Sequence, residues 1–182
     1  MARGSTLLQF EIELSDVDRN VYESLALKVA QHPSESGPYA VARVLAYALE
    51  LEEGLVFTRG LAAADEPALW TRDLTGQLLG WIEVGTPDGA RLHKASKAAG
   101  RVAVYCHKEP TPWLRSLARE RVHGSADIKL VGLPPREVQG LAEVLERRNA
   151  WSISRIEDTL YVEAGGRSHE LPLTRYPWPT ED

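Results

Sequence analysis

The sequence has little that would tie it to a membrane or to a disulfide framework. Cys106 is the single cysteine among 182 residues, so no disulfide can form within the chain. It lies in the apolar run 102–106, where a buried, inert thiol is expected rather than a nucleophile. No run of about 18 apolar residues is present, and the apolar segment near the N-terminus is too short for a signal peptide. We therefore expect no membrane span and a cytoplasmic location.

Positive charge is also scarce, because 21 Lys and Arg stand against 26 Asp and Glu, for a formal net charge of −5. Binding to nucleic acid through bulk charge is disfavoured, since counterion release needs an array of cations facing phosphates. A local basic face remains open. The histidines show no zinc-ligand spacing, and the sequence has neither a glycine-rich phosphate loop nor a serine nucleophile elbow.

What is present is the composition of one globular α+β domain, with 43% apolar and 26% charged residues. Hydrophobic periodicity predicts a mixed β-sheet flanked by helices. The run 102–106 is apolar on both faces and is expected to be a central strand. The predicted strands are 7–14, 55–58, 79–84, 102–106, 128–131, 151–156, 159–163 and 169–173. Helices are predicted over 16–32, after Pro38, and over 86–99, 112–121 and 134–148.

The helix over 16–32 rests on local signals. Ser15 offers an N-cap and Asp18 falls in the first turn, where a carboxylate suits the helix dipole. Apolar residues then recur at helical spacing, and Pro33 ends the segment.

Glu83 is the charged residue whose predicted surroundings are least favourable to a charge. Apolar neighbours place it in or at the end of a buried strand, where an unpaired carboxylate would be costly. The helix that follows carries Arg91, Lys94 and Lys97 along one side. An acid at a strand end that turns directly into a helix lies in the crevice where open α/β sheets bind ligands. Either a structural ion pair with Arg91 or Lys94, or a ligand site, would satisfy it.

Asp65 and Glu66 supply further acids upstream. Two carboxylates on adjacent elements can hold a hard divalent cation such as Mg²⁺, with water filling the remaining positions. Such an ion stabilises charge on a phosphodiester, and a nearby lysine helps to orient water or to neutralise the phosphate. A solvated turn or a helix cap is the alternative for this pair.

Several motifs together resemble those of the YaeQ family, a poorly characterised bacterial family. The resemblance also takes in Asp18-Arg19 and the segment 32–35, so it covers most of the chain. It implies a compact fold built around a variation of the PD-(D/E)XK, or restriction-endonuclease-like, core. The motifs that carry it are Phe57-Thr58-Arg59-Gly60-Leu61, Asp65-Glu66-Pro67 with Trp70, and Trp81-Ile82-Glu83-x-Gly85-x-Pro87-Asp88-x-x-Arg91-x-x-Lys94-Ala95.

The same resemblance implies a catalytic set of Asp65, Glu83 and Lys94, with Asp65 and Glu83 as ligands of Mg²⁺. The usual pattern has a lysine two positions after the second acid, where this sequence has Gly85. Lys94, one helical turn past Arg91, is the residue that would bring an amine back to the site.

Further binding residues are expected around this set. Arg91 would face the phosphate, and Arg59 would contact a phosphate or clamp a carboxylate. Arg43 and Glu50 lie on the polar face of the helix after Pro38, and either Glu50 or Glu35 would supply a helix acid.

Two classes of function follow. One is a metal-dependent phosphodiesterase, or nuclease, acting on nucleic acid. The other is a non-catalytic module that binds nucleic acid or a protein, in transcription regulation, and that has lost the chemistry. A third interpretation is that the charged cluster only holds the fold together.

Overall fold

The computed structural model describes residues 4–181 and arranges them as two β-sheets with helices between and outside them. This confirms the α+β class. The strands are β1 (Thr6–Asp16), β2 (Val21–Gln31), β3 (Leu55–Phe57), β4 (Leu69–Arg72), β5 (Leu78–Val84), β6 (Arg101–Cys106), β7 (Lys129–Gly132), β8 (Arg148–Ile156), β9 (Thr159–Ala164), β10 (Arg167–Pro172) and β11 (Thr174–Tyr176). The α-helices are α1 (Gly37–Glu50), α2 (Gly89–Ala98), α3 (Thr111–Leu117) and α4 (Pro135–Glu143).

The six-stranded sheet, in the order β11-β7-β6-β5-β4-β3, is the predicted mixed sheet. Its strands β5, β6 and β7 are parallel, and the other pairings are antiparallel. The carboxyl ends of β5, β6 and β7 therefore meet at one edge. The apolar strand β6 lies inside the sheet, as its sequence predicts.

The second sheet has the order β10-β9-β8-β1-β2, and the prediction of a helix over 16–32 is wrong. β2 pairs antiparallel with β1 over its whole length. The Asp16 carboxylate accepts hydrogen bonds from the backbone N–H and the Nε of Arg19, and Asn20 adopts φ 55°, so the chain reverses between the strands. Leu27 and Val29 are buried while their neighbours are exposed, so long-range pairing overrode the local helical spacing.

α1 lies between the two sheets, and ten of its 14 residues are buried. The main core joins side chains of β1, β8 and β9 to side chains of β4 to β7 through this helix. A smaller core covers the opposite face of the six-stranded sheet, under α2 and α3. The hydroxyl of Ser36 caps α1 by accepting from the N–H of Tyr39, which fixes where the helix begins.

Other boundaries differ from the sequence predictions. α4 ends at Glu143 and β8 begins at Arg148, so the predicted helix over 134–148 is shorter by one turn or more. The N-cap of α2 is Asp88, whose carboxylate accepts from the N–H of Arg91 at 2.8 Å. Within residues 4–181, no helix combines the length and apolar composition needed to cross a bilayer.

Candidate functional site

A cleft of about 360 Å³ opens at the carboxyl end of β5. Its walls come from the first turn of α1, from the loop between β3 and β4, and from the turn between β5 and α2. This is the edge of the sheet where parallel strands present loops to a ligand. The residues that matter for its chemistry are Tyr39, Leu61, Ala64, Glu66, Glu83 and Arg91.

Glu83 is the buried carboxylate of the cleft, with 5% of its surface exposed. Trp81 Nε1 donates to its Oε1 at 2.7 Å, and Arg91 Nε donates to the same oxygen at 2.5 Å. Within residues 4–181, no hydrogen bond ends on Oε2, so that oxygen is the one left for a ligand. Burial raises the pKa of Glu83, and the hydrogen bonds from Trp81 and Arg91 oppose this rise only in part.

Arg91 holds the loop as well as Glu83. Its Nη1 donates to Ala64 O at 2.5 Å and its Nη2 donates to Glu66 O at 2.6 Å. Of the alternatives that the sequence left open for Glu83, the ion pair with Arg91 is present, and the same guanidinium binds the carbonyls of both neighbours of Asp65. Because all three of its nitrogens are engaged, Arg91 serves as a tether between loop and strand.

Asp65 and Lys94 are both exposed to solvent. Asp65 is an exposed residue of the loop between β3 and β4, and Lys94 is exposed on α2, one turn after Arg91. Neither side chain forms a hydrogen bond or an ion pair with another part of residues 4–181. Arg91 brings the backbone on either side of Asp65 to Glu83, but the residues that line the cleft include neither Asp65 nor Lys94.

If this site binds Mg²⁺, only a few protein side chains can serve as ligands. The described part of the chain holds no group of three or more His, Cys, Asp or Glu side chains arranged for a metal ion. Mg²⁺, however, commonly binds through one or two carboxylates, several waters and substrate phosphates. Oε2 of Glu83 and the carboxylate of Asp65 are donors of that kind.

Arg43 supports the loop from beneath and does not face the cleft, since its side chain is fully buried. Its Nη2 donates to Thr58 O at 2.8 Å and to Ala68 O at 3.2 Å, and its Nη1 lies 3.4 Å from Glu35 Oε2. The N–H of Leu61 donates to the other oxygen of Glu35 at 3.2 Å. Burial raises the pKa of Glu35, and the charge of Arg43 opposes this rise.

Arg59 takes the second of its two predicted roles, as a carboxylate clamp. Its Nη2 lies 2.8 Å from Glu66 Oε1, and its backbone N–H donates to Glu66 Oε2 at 3.1 Å. This pair, between an exposed arginine and a half-buried glutamate, closes the loop on itself.

Glu50 does not join Glu83 in one site. Glu35 precedes α1 and Glu50 ends it, whereas Tyr39 in the first turn lines the cleft, so about 16 Å of helix separates Glu50 from the cleft. Lys129 Nζ lies 2.5 Å from its carboxylate, and Arg101 and Tyr105 donate to it as well. Burial alone would raise the pKa of Glu50, but these three partners lower it overall.

Tyr39 is a cleft residue that the sequence analysis did not identify. It lines the cleft from the first turn of α1, and burial raises its pKa to about 12, so its hydroxyl stays a hydrogen-bond donor. The ring of His107 lies 6.2 Å away, and burial lowers the pKa of that imidazole to about 4. The motif Ser36-Gly37-Pro38 marks the helix start, but only the tertiary fold shows that this start meets the end of β5.

Comparison with known proteins identifies the family. A family model described as YaeQ protein matches residues 1–173. The uncharacterized protein YaeQ of Salmonella typhi is 29% identical over 182 residues, covering 99% of this chain and 100% of that protein. Its namesake in Escherichia coli K12 is 38% identical over 107 residues, 59% of each chain.

Solved structures agree with this assignment. The crystal structure of YaeQ protein from Pseudomonas syringae has a TM-score of 0.87 and 34% identity, and covers 94% of this chain and 95% of that chain. The crystal structure from Xanthomonas axonopodis pv. citri has a TM-score of 0.86 and 29% identity, with 96% and 99% covered. The resemblance found in the sequence motifs is confirmed, and the chain belongs to the YaeQ family.

Proposed function

We propose that the cleft at Glu83 is the site of a metal-dependent phosphodiesterase that acts on nucleic acid in the cytoplasm, on a variation of the PD-(D/E)XK core. The observation that carries this proposal is the difference in contacts between the two oxygens of the buried Glu83 carboxylate. Oε1 is anchored by Trp81 and Arg91, and Oε2 is left for a ligand in the cleft. A carboxylate held in one orientation, with one oxygen available, is suited to binding a cation.

Glu83, through Oε2, and Asp65 would hold Mg²⁺ together with water. When bound, such an ion stabilises the negative charge that builds up on a phosphodiester during hydrolysis. Arg91 lines the cleft but is already paired with Glu83, and Arg59 is paired with Glu66. A bound metal ion would therefore supply the positive charge that an entering phosphate needs.

Three further residues would position the substrate or the site itself. The Tyr39 hydroxyl can donate to a non-bridging phosphate oxygen, because it stays protonated at neutral pH. Lys94 can bring an ammonium to the rim from α2. Arg91 contributes by fixing the loop and Glu83, since its own donors are already engaged.

A second candidate function is a non-catalytic module that binds nucleic acid or a protein partner, in transcription regulation. The conformation of Gly85, with φ 102°, favours it. A lysine at this position, two after Glu83, would be strained, because side chains other than glycine rarely adopt such a φ. The backbone therefore disfavours a lysine where the usual nuclease pattern has one, although no atom lies within 4 Å of an added Cβ.

Cleavage assays with single- and double-stranded DNA and RNA, in Mg²⁺ or Mn²⁺, test the proposal. We expect Glu83→Gln and Asp65→Asn to abolish cleavage, and Lys94→Ala to lower it by about 10²-fold or more. The melting temperature of Glu83→Gln should stay close to that of the wild type, because the glutamine oxygen can still accept from Trp81. Lys97→Ala, one turn further along α2, and Asp127→Asn, on a distant turn, are matched controls that should retain activity.

Two outcomes would count against the enzyme. If the wild type cleaves no substrate in either metal but binds nucleic acid in a salt-sensitive way that Lys94→Ala weakens, the second candidate replaces the first. If it neither cleaves nor binds nucleic acid, the nuclease proposal and its nucleic-acid-binding alternative are both wrong.

A further inference from the structure

Positive charge is concentrated in one segment of this acidic chain. Residues 91–126, which contain most of α2 together with β6 and α3, hold eight Lys and Arg and two Asp and Glu, whereas the whole chain has 21 and 26. Arg91 and Arg101 are held in ion pairs with acids of other elements, and the remaining six cations are exposed. The local basic face that the sequence left open therefore lies on the side of the six-stranded sheet covered by α2 and α3.

Three of these cations lie on or beside α3, and we call them the α3 strip: Lys108, Arg115 and Arg119. Within residues 4–181, the side chains of Lys108 and Arg115 form no hydrogen bond and no ion pair. Arg119 Nε lies 4.0 Å from Glu181 Oε1, and 70% and 68% of the two side chains are exposed. Such an exposed pair contributes little, so all three cations are available to an anionic partner.

Two cavities on the flanks of α3 connect the α3 strip to the cleft at Glu83. One, of about 590 Å³, lies between α3 and residues 179–181 and is lined by Arg115 and Arg119. The other, of about 370 Å³, lies between α3 and the start of α2 and is lined by Lys108, Ser116 and Thr86. Thr86 also lines the cleft at Glu83. An extended chain that crosses the exposed side of α3 can therefore continue past Thr86 into the cleft.

The carboxylates of the second cavity are bound to the backbone beside them. Asp88 accepts from the N–H of Arg91 at 2.8 Å, and Glu109 accepts from the N–H and the hydroxyl of Thr111 at 3.1 and 2.6 Å. The path thus presents cations, hydroxyls and engaged carboxylates in turn. A nucleic-acid strand matches this mixture, because its phosphates alternate with sugars and bases that carry hydrogen-bond donors.

From this charge distribution and this path we infer that the α3 strip binds the phosphate backbone of one nucleic-acid strand and leads it to the cleft. Cations that follow a groove and contact successive phosphates are the usual means of holding a strand without reading its sequence. The destination of the strand rests on the proposed function, but the contact with the α3 strip requires no turnover.

Fluorescence anisotropy of labelled DNA and RNA oligonucleotides, single- and double-stranded, tests the inference in EDTA, where binding is separated from metal-dependent cleavage. We expect the triple variant Lys108→Gln, Arg115→Gln, Arg119→Gln to bind about tenfold more weakly or worse at about 50 mM salt. The dependence of log K on log salt concentration should become shallower by about 2, since each lost phosphate contact contributes about 0.7 with a single strand.

A control with the same loss of charge separates a local contact from the effect of net charge. It replaces three exposed cations of the five-stranded sheet with glutamine, and it should bind like the wild type: Lys28, Arg148 and Arg167. Because all six replaced side chains are exposed, both triple variants should melt at the wild-type temperature.

The inference and the nuclease proposal fail in different ways. Wild-type binding that the α3 strip variant leaves unchanged, or that the control weakens as much, would overturn the inference without touching the nuclease proposal. Absence of cleavage in either metal, combined with binding in EDTA that only the α3 strip variant weakens, would overturn the nuclease proposal and support the α3 strip. A wild type that binds none of the oligonucleotides would contradict the inference outright.

Discussion

Gly60 occupies a position beneath the candidate site where no side chain fits. Its φ is +58°, and an added Cβ would lie 2.6 Å from Glu35 Oε1 and 3.0 Å from Arg43 Nη1. These two side chains hold the loop that forms one wall of the cleft. The crowding therefore acts on the site as well as on stability.

We predict that Gly60→Ala lowers the free energy of unfolding by roughly 2–4 kcal/mol, from the unfavourable φ and from displacement of the buried ion pair. Urea unfolding measures this change. Gly124→Ala is the control, because Gly124 has φ +60° with no atom within 4 Å of an added Cβ. Equal losses in the two variants would show that crowding against Glu35 and Arg43 has no effect.

At the scale of elements, the loop between β3 and β4 is held in place by contacts from three directions. Glu35 accepts from its Leu61 N–H, Arg91 donates to its Ala64 and Glu66 carbonyls, and Arg59 pairs with Glu66 within it. Two of these contacts come from Glu35, which precedes α1, and from Arg91, which also pairs with Glu83 of β5, and both of these acids have raised pKa values. The position of the loop is thus coupled to the cleft.

We predict that Arg91→Met frees this loop without unfolding the sheet. Hydrogen exchange at the Glu66 amide, which donates to Ala63 O, should accelerate by roughly tenfold or more, since two charge-assisted hydrogen bonds to the loop are lost. Lys97→Met on the same helix is the control and should leave this amide unchanged. Unaltered exchange in Arg91→Met would mean that the other two contacts suffice to hold the loop.

At the scale of the whole molecule, buried acids connect elements that are distant in sequence. Glu50 joins α1 to β6 through Arg101 and Tyr105 and to β7 through Lys129. Its pKa is lowered in the fold, so its contribution to stability is present above the ordinary value of 4.5 and is lost as the pH falls below that value. Glu35 and Glu83 have raised pKa values, and their contributions fall as the pH rises above 4.5.

We therefore predict that Glu50→Gln reduces the loss of stability on acidification below pH 4.5. The free energy of unfolding should be lower than that of the wild type at neutral pH, and its slope against pH should be flatter in acid. Urea titrations at a series of pH values measure both. An unchanged slope in Glu50→Gln would contradict the prediction.

Where local pattern and tertiary environment agree, the sequence predicted the elements. α1 has an apolar stripe that both sheets bury, β6 is apolar on both faces, and the turn at Glu157 and Asp158 joins β8 to β9. β2 was mispredicted because its apolar spacing also fits a helix, and only pairing with β1 distinguishes the two.

The candidate site shows the same contrast between what local patterns predict and what long-range packing decides. The burial of Glu83 and the nearness of Arg91 and Lys94 follow from one strand–helix turn, so local reasoning reached them, but only the structure shows that Arg91 is the partner. Arg43 and Glu50 share a helix with Tyr39, yet only Tyr39 reaches the cleft. Which residue of a helix faces a site depends on the end and the face that the packing presents, and no local pattern contains that information.

The sequence by itself thus determined the α+β class, the family, and a buried acid paired with an arginine, because these depend on neighbours along the chain. The tertiary structure alone decided that the loop around Asp65 is tied to Glu83, that Tyr39 enters the cleft, and that residues 21–31 pair with β1 as a strand. Each of these depends on strand register and helix packing between residues far apart in sequence, which arise only when the whole core assembles.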